Sequence, residues 1–168
     1  MLPSQQPHPS PPNVVSVSND GNILLSASPT PPTIYIQDRR WGGSVPVNFQ
    51  PTDAETPVSC AAFSSLPAPT NNLHTTFILG FRDGKMAMYR LFLPAQQGQR
   101  KTSQLERMRT FDLQPVRVGA IKKLHKPSMG GVIAAEFLPG FTSRVISIGH
   151  DGRCRLVDFE GGGKVLRT

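Results

Sequence analysis

One pattern recurs three times along this chain, and it constrains the fold more than any other feature. Each copy has an apolar strand, a turn or loop, a second apolar strand, a tight turn, and a third strand ending near a charge. The first copy is VVSVS (Val14–Ser18), NDGN (Asn19–Asn22), ILLSAS (Ile23–Ser28), PTPP (Pro29–Pro32) and TIYIQD (Thr33–Asp38). The second is VSCAAFS (Val58–Ser64), a Pro/Asn-rich loop, TTFILGF (Thr75–Phe81), Arg82-Asp83-Gly84 and KMAMYRLF (Lys85–Phe92). The third is VIAAEFLPG (Val132–Gly140), a short link, RVISIG (Arg144–Gly149), His150-Asp151-Gly152 and RCRLVDF (Arg153–Phe159).

Asp-Gly between two apolar runs is a strong hairpin signal, and the expectation is a type I′ turn with both central residues at positive φ. The third strand of each copy alternates, which puts Ile34/Ile36, Met86/Met88 and Cys154/Leu156 on one face. Tyr35, Ala87 and Arg155 fall on the other face. The apolar set is expected to meet a neighbouring sheet, with Cys60 and Cys154 as reduced, buried thiols. Between the copies lie further strand-like pieces, Ser44–Gln50, Met108–Leu113 and Val116–Leu124, each suited to be a fourth, outer strand. The expected fold is therefore all-β, with about three four-stranded antiparallel sheets in tandem. A Pro/Ser/Gln-rich leader over residues 1–12 reads as disordered, and residues 13–168 carry the repeats at roughly 13–50, 57–114 and 116–168. Asp38, Arg90 and Asp158 stand at equivalent strand ends, 52 and 68 residues apart. That spacing exceeds an ideal repeat of about 40–45, and the surplus falls in polar segments such as Pro94–Ser103, where insertions are tolerated.

The phrases NDGNILLSAS, FILGFRDGKMAMYRL and VISIGHDGRCRLVDF resemble the WD-repeat family of β-propellers, in a degenerate form similar to fungal members. That resemblance implies a turn Asp, a Ser or Thr earlier on the second strand, a Trp on the third strand and a His before the first, joined by hydrogen bonds. The third copy matches best, with Asp151 in the turn, Ser147 before it and Val157-Asp158 in place of Trp-Asp. Gly152 completes its turn, and Asp83-Gly84 is the counterpart in the second copy. His125 corresponds to the family His, though farther from Val132 than the family places it. The Trp position holds Gln37, Tyr89 and Val157 in turn, and Leu79 replaces the strand-two Ser in the second copy. Three blades do not close a ring of 4–8, so the resemblance implies a fragment of a longer propeller, or a partner that supplies the missing blades.

The sequence contains no Gly-rich phosphate loop, no nucleophile elbow and no metal-ligand spacing. Gly161–Gly163 is followed by no helical pattern that would present N–H groups to an anion. His150 and Asp151 are adjacent on the chain and point apart, so they do not form a base and its orienter. The expectation is a non-catalytic scaffold for protein–protein contact, with no cofactor and no metal. No apolar run approaches the roughly 20 residues that span a bilayer, and no secretory signal opens the chain, so an intracellular protein without membrane contact is expected. Net charge is +7. Residues 100–126 hold eight basic side chains (Arg100, Lys101, Arg107, Arg109, Arg117, Lys122, Lys123, Lys126) against Glu106 and Asp112. That segment offers an alternative, nucleic-acid or ribonucleoprotein association through phosphate contact. Its one aromatic, Phe111, provides no basis for base stacking. Trp41, preceded by Arg39 and Arg40, together with Lys122 and Lys123, are the candidate partner-binding residues.

Overall fold

A computed structural model describes residues 8–40, 46–51, 55–66, 74–93 and 113–168. They form twelve strands in three antiparallel sheets of four. The first sheet runs β1 (Val14–Val17), β2 (Ile23–Pro29), β3 (Pro32–Asp38) and β4 (Val47–Phe49), each paired to the next. The second contains β5 (Val58–Phe63), β6 (His74–Phe81), β7 (Met86–Phe92) and β8 (Val116–Ile121). The third contains β9 (Val132–Phe137), β10 (Arg144–Gly149), β11 (Cys154–Asp158) and β12 (Lys164–Arg167). Three consecutive four-stranded meanders stacked face to face make this an all-β, incomplete WD40-like propeller.

One of the outer strands differs from the sequence expectation. Val116–Ile121 pairs with β7 across Met86–Arg90, so it closes the second sheet rather than opening a third repeat at residue 116. Met108–Phe111 and Asp112, the other proposed outer strand, lie outside the described residues, while Leu113 packs in the core shared by the first two sheets. Residues 164–167 complete the third sheet by pairing with β11. An outer strand binds only one neighbour, so its assignment depends on which edge is free, and alternation alone does not report that.

The turns also depart from expectation in an informative way. Gly21, Gly84 and Gly152 lie at positive φ (73°, 79° and 71°), but the aspartates before them do not. In the second sheet, Gly84 N–H donates to Phe81 O and Phe81 N–H donates to Lys85 O. The third sheet repeats this geometry with Gly152, Gly149 and Arg153. These are three-residue hairpins that end in a left-handed glycine, not two-residue type I′ turns. Asp83 Oδ1 accepts the N–H of Lys85 at 2.9 Å, and Asp151 Oδ1 accepts that of Arg153 at 3.2 Å. Each carboxylate thereby holds its own backbone at negative φ.

Side-chain alternation divides the core into two seams. Ile23, Leu25, Ile34, Ile36 and Phe49 of the first sheet pack on Phe77, Leu79, Phe81 and Tyr89 of the second. Ile78, Met86 and Met88, from the opposite face of the second sheet, pack on Ala135, Phe137, Val145 and Val157 of the third. The sequence expectation for Ile34/Ile36 and Met86/Met88 thus matches the packing, but that for Cys154 does not. Cys154 is exposed and Leu156 only half-buried, because among the described residues their face of the third sheet meets no further sheet. The leader also is engaged from His8 onward. His8 Nε2 lies 2.7 Å from Ser26 Oγ, and its ring stands edge-on to Tyr35 at 4.7 Å. The outer face of the first sheet offers a hydroxyl and an aromatic ring, and His8 can use both.

Candidate functional site

The link from β8 to β9 crosses from the second sheet to the third along one rim. It is wedged between the Arg82-Asp83-Gly84 turn and the His150-Asp151-Gly152 turn. His125 N–H donates to Gly84 O at 3.1 Å, and His150 N–H donates to Gly131 O at 3.0 Å. The approach is close enough that a Cβ on Gly84 would run into the carbonyl of His125, and one on Gly131 into that of Arg82. Asp83 N–H reaches Thr56 Oγ1 at 3.1 Å and Arg82 N–H reaches Pro57 O at 3.3 Å, which extends the rim to the β4–β5 link.

Beneath this rim, four side chains close on one another. His125 Nδ1 lies 2.9 Å from Asp151 Oδ1, and its Nε2 lies 3.0 Å from Ser147 Oγ. Arg155 Nη1 donates to Asp151 Oδ2 at 3.2 Å and lies 2.9 Å from His125 Nδ1. Asp151 can only accept, so Nδ1 carries the proton and donates to it, leaving no lone pair there for Arg155. Nε2 then accepts from the Ser147 hydroxyl. His125 and Ser147 are buried, as is the Asp151 carboxylate. Burial raises the pKa of that carboxyl. The opposing hydrogen bonds, first from His125 and then from Arg153 N–H, Arg155 and Lys126 N–H, outweigh burial and hold it well below the usual carboxylate range.

This network is a lock with every ring nitrogen and both carboxylate oxygens occupied. The family resemblance picked out Ser147, Asp151 and Gly152 with His125 as their counterpart, and the fold brings His125 to Ser147 and Asp151 from 22 and 26 residues away. Arg155 is the member that sequence reasoning missed. Its signal was present in the alternation of β11, which puts residue 155 on the same face as Val157. With Val157 where the resemblance expects a Trp, the indole N–H is absent and the Arg155 guanidinium provides a donor to the cluster instead.

Among the described residues, the other repeats lack this lock. In the second, Leu79 fills the strand-two position with a buried apolar side chain, and the Asp83 carboxylate takes its own backbone. In the first, the polar cluster sits at the opposite end of β2, where Ser18 Oγ donates to Asp20 Oδ1 at 2.6 Å and accepts from Ile23 N–H at 2.8 Å.

The candidate contact residues are dispersed. Arg39 is exposed. The Arg40 side chain is only 8% exposed and is bound through Nε and Nη2 to the Asp38 carboxylate, with the shortest contact at 2.6 Å. Trp41 lies outside the described residues, as do Arg100, Lys101, Arg107 and Arg109. Lys122 and Lys123 are exposed on the rim beside Lys126, and the turns add the exposed Arg82 and Arg153. The fold thus assembles five cations that are scattered in sequence, while the rim carboxylates Asp83 and Asp151 are engaged by protein donors. No described group of His, Cys, Asp or Glu could hold a metal ion. Among the described residues, no helix is long and apolar enough to cross a membrane.

No protein-family profile matches the sequence, and no curated protein matches it either. The fold does have relatives among solved structures. A crystal structure of Sqt1 from Chaetomium thermophilum, bound to the N-terminus of the ribosomal protein L10, superposes with a TM-score of 0.62 at 18% identity. The match covers 93% of this chain and 33% of that one, so the chain spans about a third of the Sqt1 length. Sqt1 is a WD40 protein, and the likeness assigns three blades of a WD40-like propeller fold to this chain.

Proposed function

We propose that this protein is a non-catalytic scaffold that binds an acidic segment of another protein along its cationic rim. One observation carries the reading. The buried polar cluster at the rim is closed on itself, so its residues stiffen the turns, and the exposed cations around it are Arg82, Lys122, Lys123, Lys126 and Arg153, with the exposed His150 and Glu55 beside them. A fixed array of cations raises the local concentration of anionic partners and sets their register. Sqt1, which shares the fold, was captured with the N-terminus of a ribosomal protein, which supports a peptide-binding role for this fold.

The same cations favour a second reading, phosphate contact with a nucleic acid. Among the described residues no Phe, Tyr or Trp accompanies the five cations on the rim turns, and the exposed His150 imidazole is the single ring there on which a base could stack. Fluorescence anisotropy separates the two. The scaffold reading expects saturable binding of a glutamate-rich peptide, lost in Lys122→Glu/Lys123→Glu. Stronger binding of a mixed-sequence single-stranded RNA than of the peptide, with a steep decline between 50 and 200 mM salt, would replace the scaffold with the nucleic-acid reading.

A further inference from the structure

The two seams between sheets are framed alike at the rim, and they differ in what fills the frame. In the second seam the frame is Met86 opposite Ile121 and Val132 opposite Gly149. The corresponding residues of the first seam are Ile34 opposite Phe49 and Val58 opposite Phe81. The second frame is closed from within by the β8–β9 link. Leu124, only 2% exposed, belongs to the apolar cluster of Met86 and Ile121, and the His125 ring lies where a Cβ on Gly149 would stand. In the first frame the fully buried Phe81 stands in place of Gly149. Among the described residues of the β4–β5 link, Gln50, Pro51, Glu55, Thr56 and Pro57, none is buried. At this place in the first seam lies a cavity of about 240 Å³. Ile34, Phe49, Val58 and Phe81 give it apolar walls, no charged side chain lines it, and the exposed Pro32 and Gln50 mark its mouth.

We infer that this cavity is the anchor pocket for one aromatic side chain of the protein segment that docks on the cationic rim, an inference that rests on the scaffold reading above. Position ties the pocket to the rim. Arg82 directly follows Phe81, and Thr56, a wall residue, accepts the Asp83 N–H at 3.1 Å. On the far side of the same turn Gly84 O accepts the N–H of His125, the neighbour of Lys126. Size limits the occupant. A void of about 150 Å³ holds benzene, and pockets for drug-sized ligands begin near about 300 Å³. The cavity falls between the two, which leaves room for one ring. Its lining sets the chemistry. A carboxylate there would lose its water and gain no counter-charge, so the acidic residues of the partner stay outside on the cations. Exposed ion pairs steer a partner and set its register but contribute little hold, whereas a buried aromatic supplies it. The second seam shows the same place filled by an apolar side chain, Leu124, from a segment that crosses the rim.

Methyl NMR titration of the 168-residue chain tests the pocket with two peptides. One is a glutamate run flanked by Phe at each end, and the other has Ala in place of both. The Ile34 and Val58 methyls are expected to shift with the first peptide and not with the second, while Val145, in the second seam, stays unmoved by either. Fluorescence anisotropy should show the first peptide binding more tightly by about tenfold or more. Val58→Phe extends a ring into the cavity and should erase that difference while leaving the affinity of the second peptide unchanged. The methyl shifts are read on the unsubstituted chain and stand apart from how that variant packs. Toluene alone probes the cavity without the rim, and it should move the same two methyls. Equal affinity for the two peptides, or Ile34 and Val58 methyls that respond neither to the first peptide nor to toluene, would overturn the pocket and leave the rim reading standing. Toluene binding with no binding of either peptide would overturn the partner assignment together with the scaffold reading.

Discussion

Between the first and second sheets, Phe49, Phe77 and Tyr89 meet ring to ring, with Phe77 stacked on Tyr89 at 5.4 Å and Phe49 edge-on to Tyr89 at 5.2 Å. The seam is dry enough that burial pushes the Tyr89 phenol up to about 12. Between the second and third sheets the fillers are Ile78, Met86 and Met88 against Phe137, Val145, Val157 and Phe159, and among the described residues these two rings meet no other ring. There the His125–Ser147–Asp151–Arg155 lock closes the rim. Both seams join one four-stranded sheet to the next. Flat aromatic surface holds the first by area and shape, whereas the second is narrower in chemistry and is fixed in register by directional bonds. A repeated topology thus does not require a repeated set of contacts.

The largest expected effect breaks the aromatic seam. Phe77→Ala removes the ring that touches Phe49, Phe63 and Tyr89, and should cost about 3–5 kcal/mol in urea unfolding followed by far-UV circular dichroism. A loss near 1 kcal/mol would mean that the ring cluster is not the main support of that seam.

Next in size is the lock. His125→Ala leaves buried Ser147 and Asp151 without their shared partner and should cost about 2–3 kcal/mol. Hydrogen exchange should show the loss concentrated in β9–β11, with β1–β4 retaining their protection. Uniform loss across all three sheets would mean that the seams are not independent.

Acid sharpens the same contrast. Asp151 is held below its ordinary value of 3.8, so its contribution is complete above that value and fades as pH falls toward the lower folded one. Wild-type stability should therefore drop as pH falls from about 4 toward 2, and Asp151→Asn should flatten that slope while lowering stability at pH 6. An unchanged slope in the variant would assign the acid sensitivity to other carboxylates, such as Asp158, which hydrogen bonds from Glu160 N–H and Ser143 also hold low.

The smallest effects lie at the edges. Ser18→Ala removes one donor to Asp20 and one acceptor for Ile23 N–H and should cost about 1 kcal/mol. Lys122→Ala/Lys123→Ala should change stability by no more than about 0.5 kcal/mol while weakening peptide binding. A large stability loss there would make the two lysines part of the frame and not of the contact surface.

Strand alternation and turn glycines are local properties, and they were enough to mark β1–β3, β5–β7 and β9–β11 in the sequence. A strand buried on one or both faces must repeat every two residues, and a left-handed turn position favours glycine whatever surrounds it. The pairing of Ser147 with Asp151 came from the family resemblance, on residues that lie on one hairpin. Other features were settled only when the sheets stacked. Val116–Ile121 joins the second sheet because the free edge of β7 is there to receive it. His125 reaches Asp151, Arg82 and Arg153 join the rim lysines, and Cys154 and Ile148 face outward through the placement of separate segments. The chain carries the periodicity of each strand in its own residues, but which edge is open and which face is covered depend on residues distant in sequence.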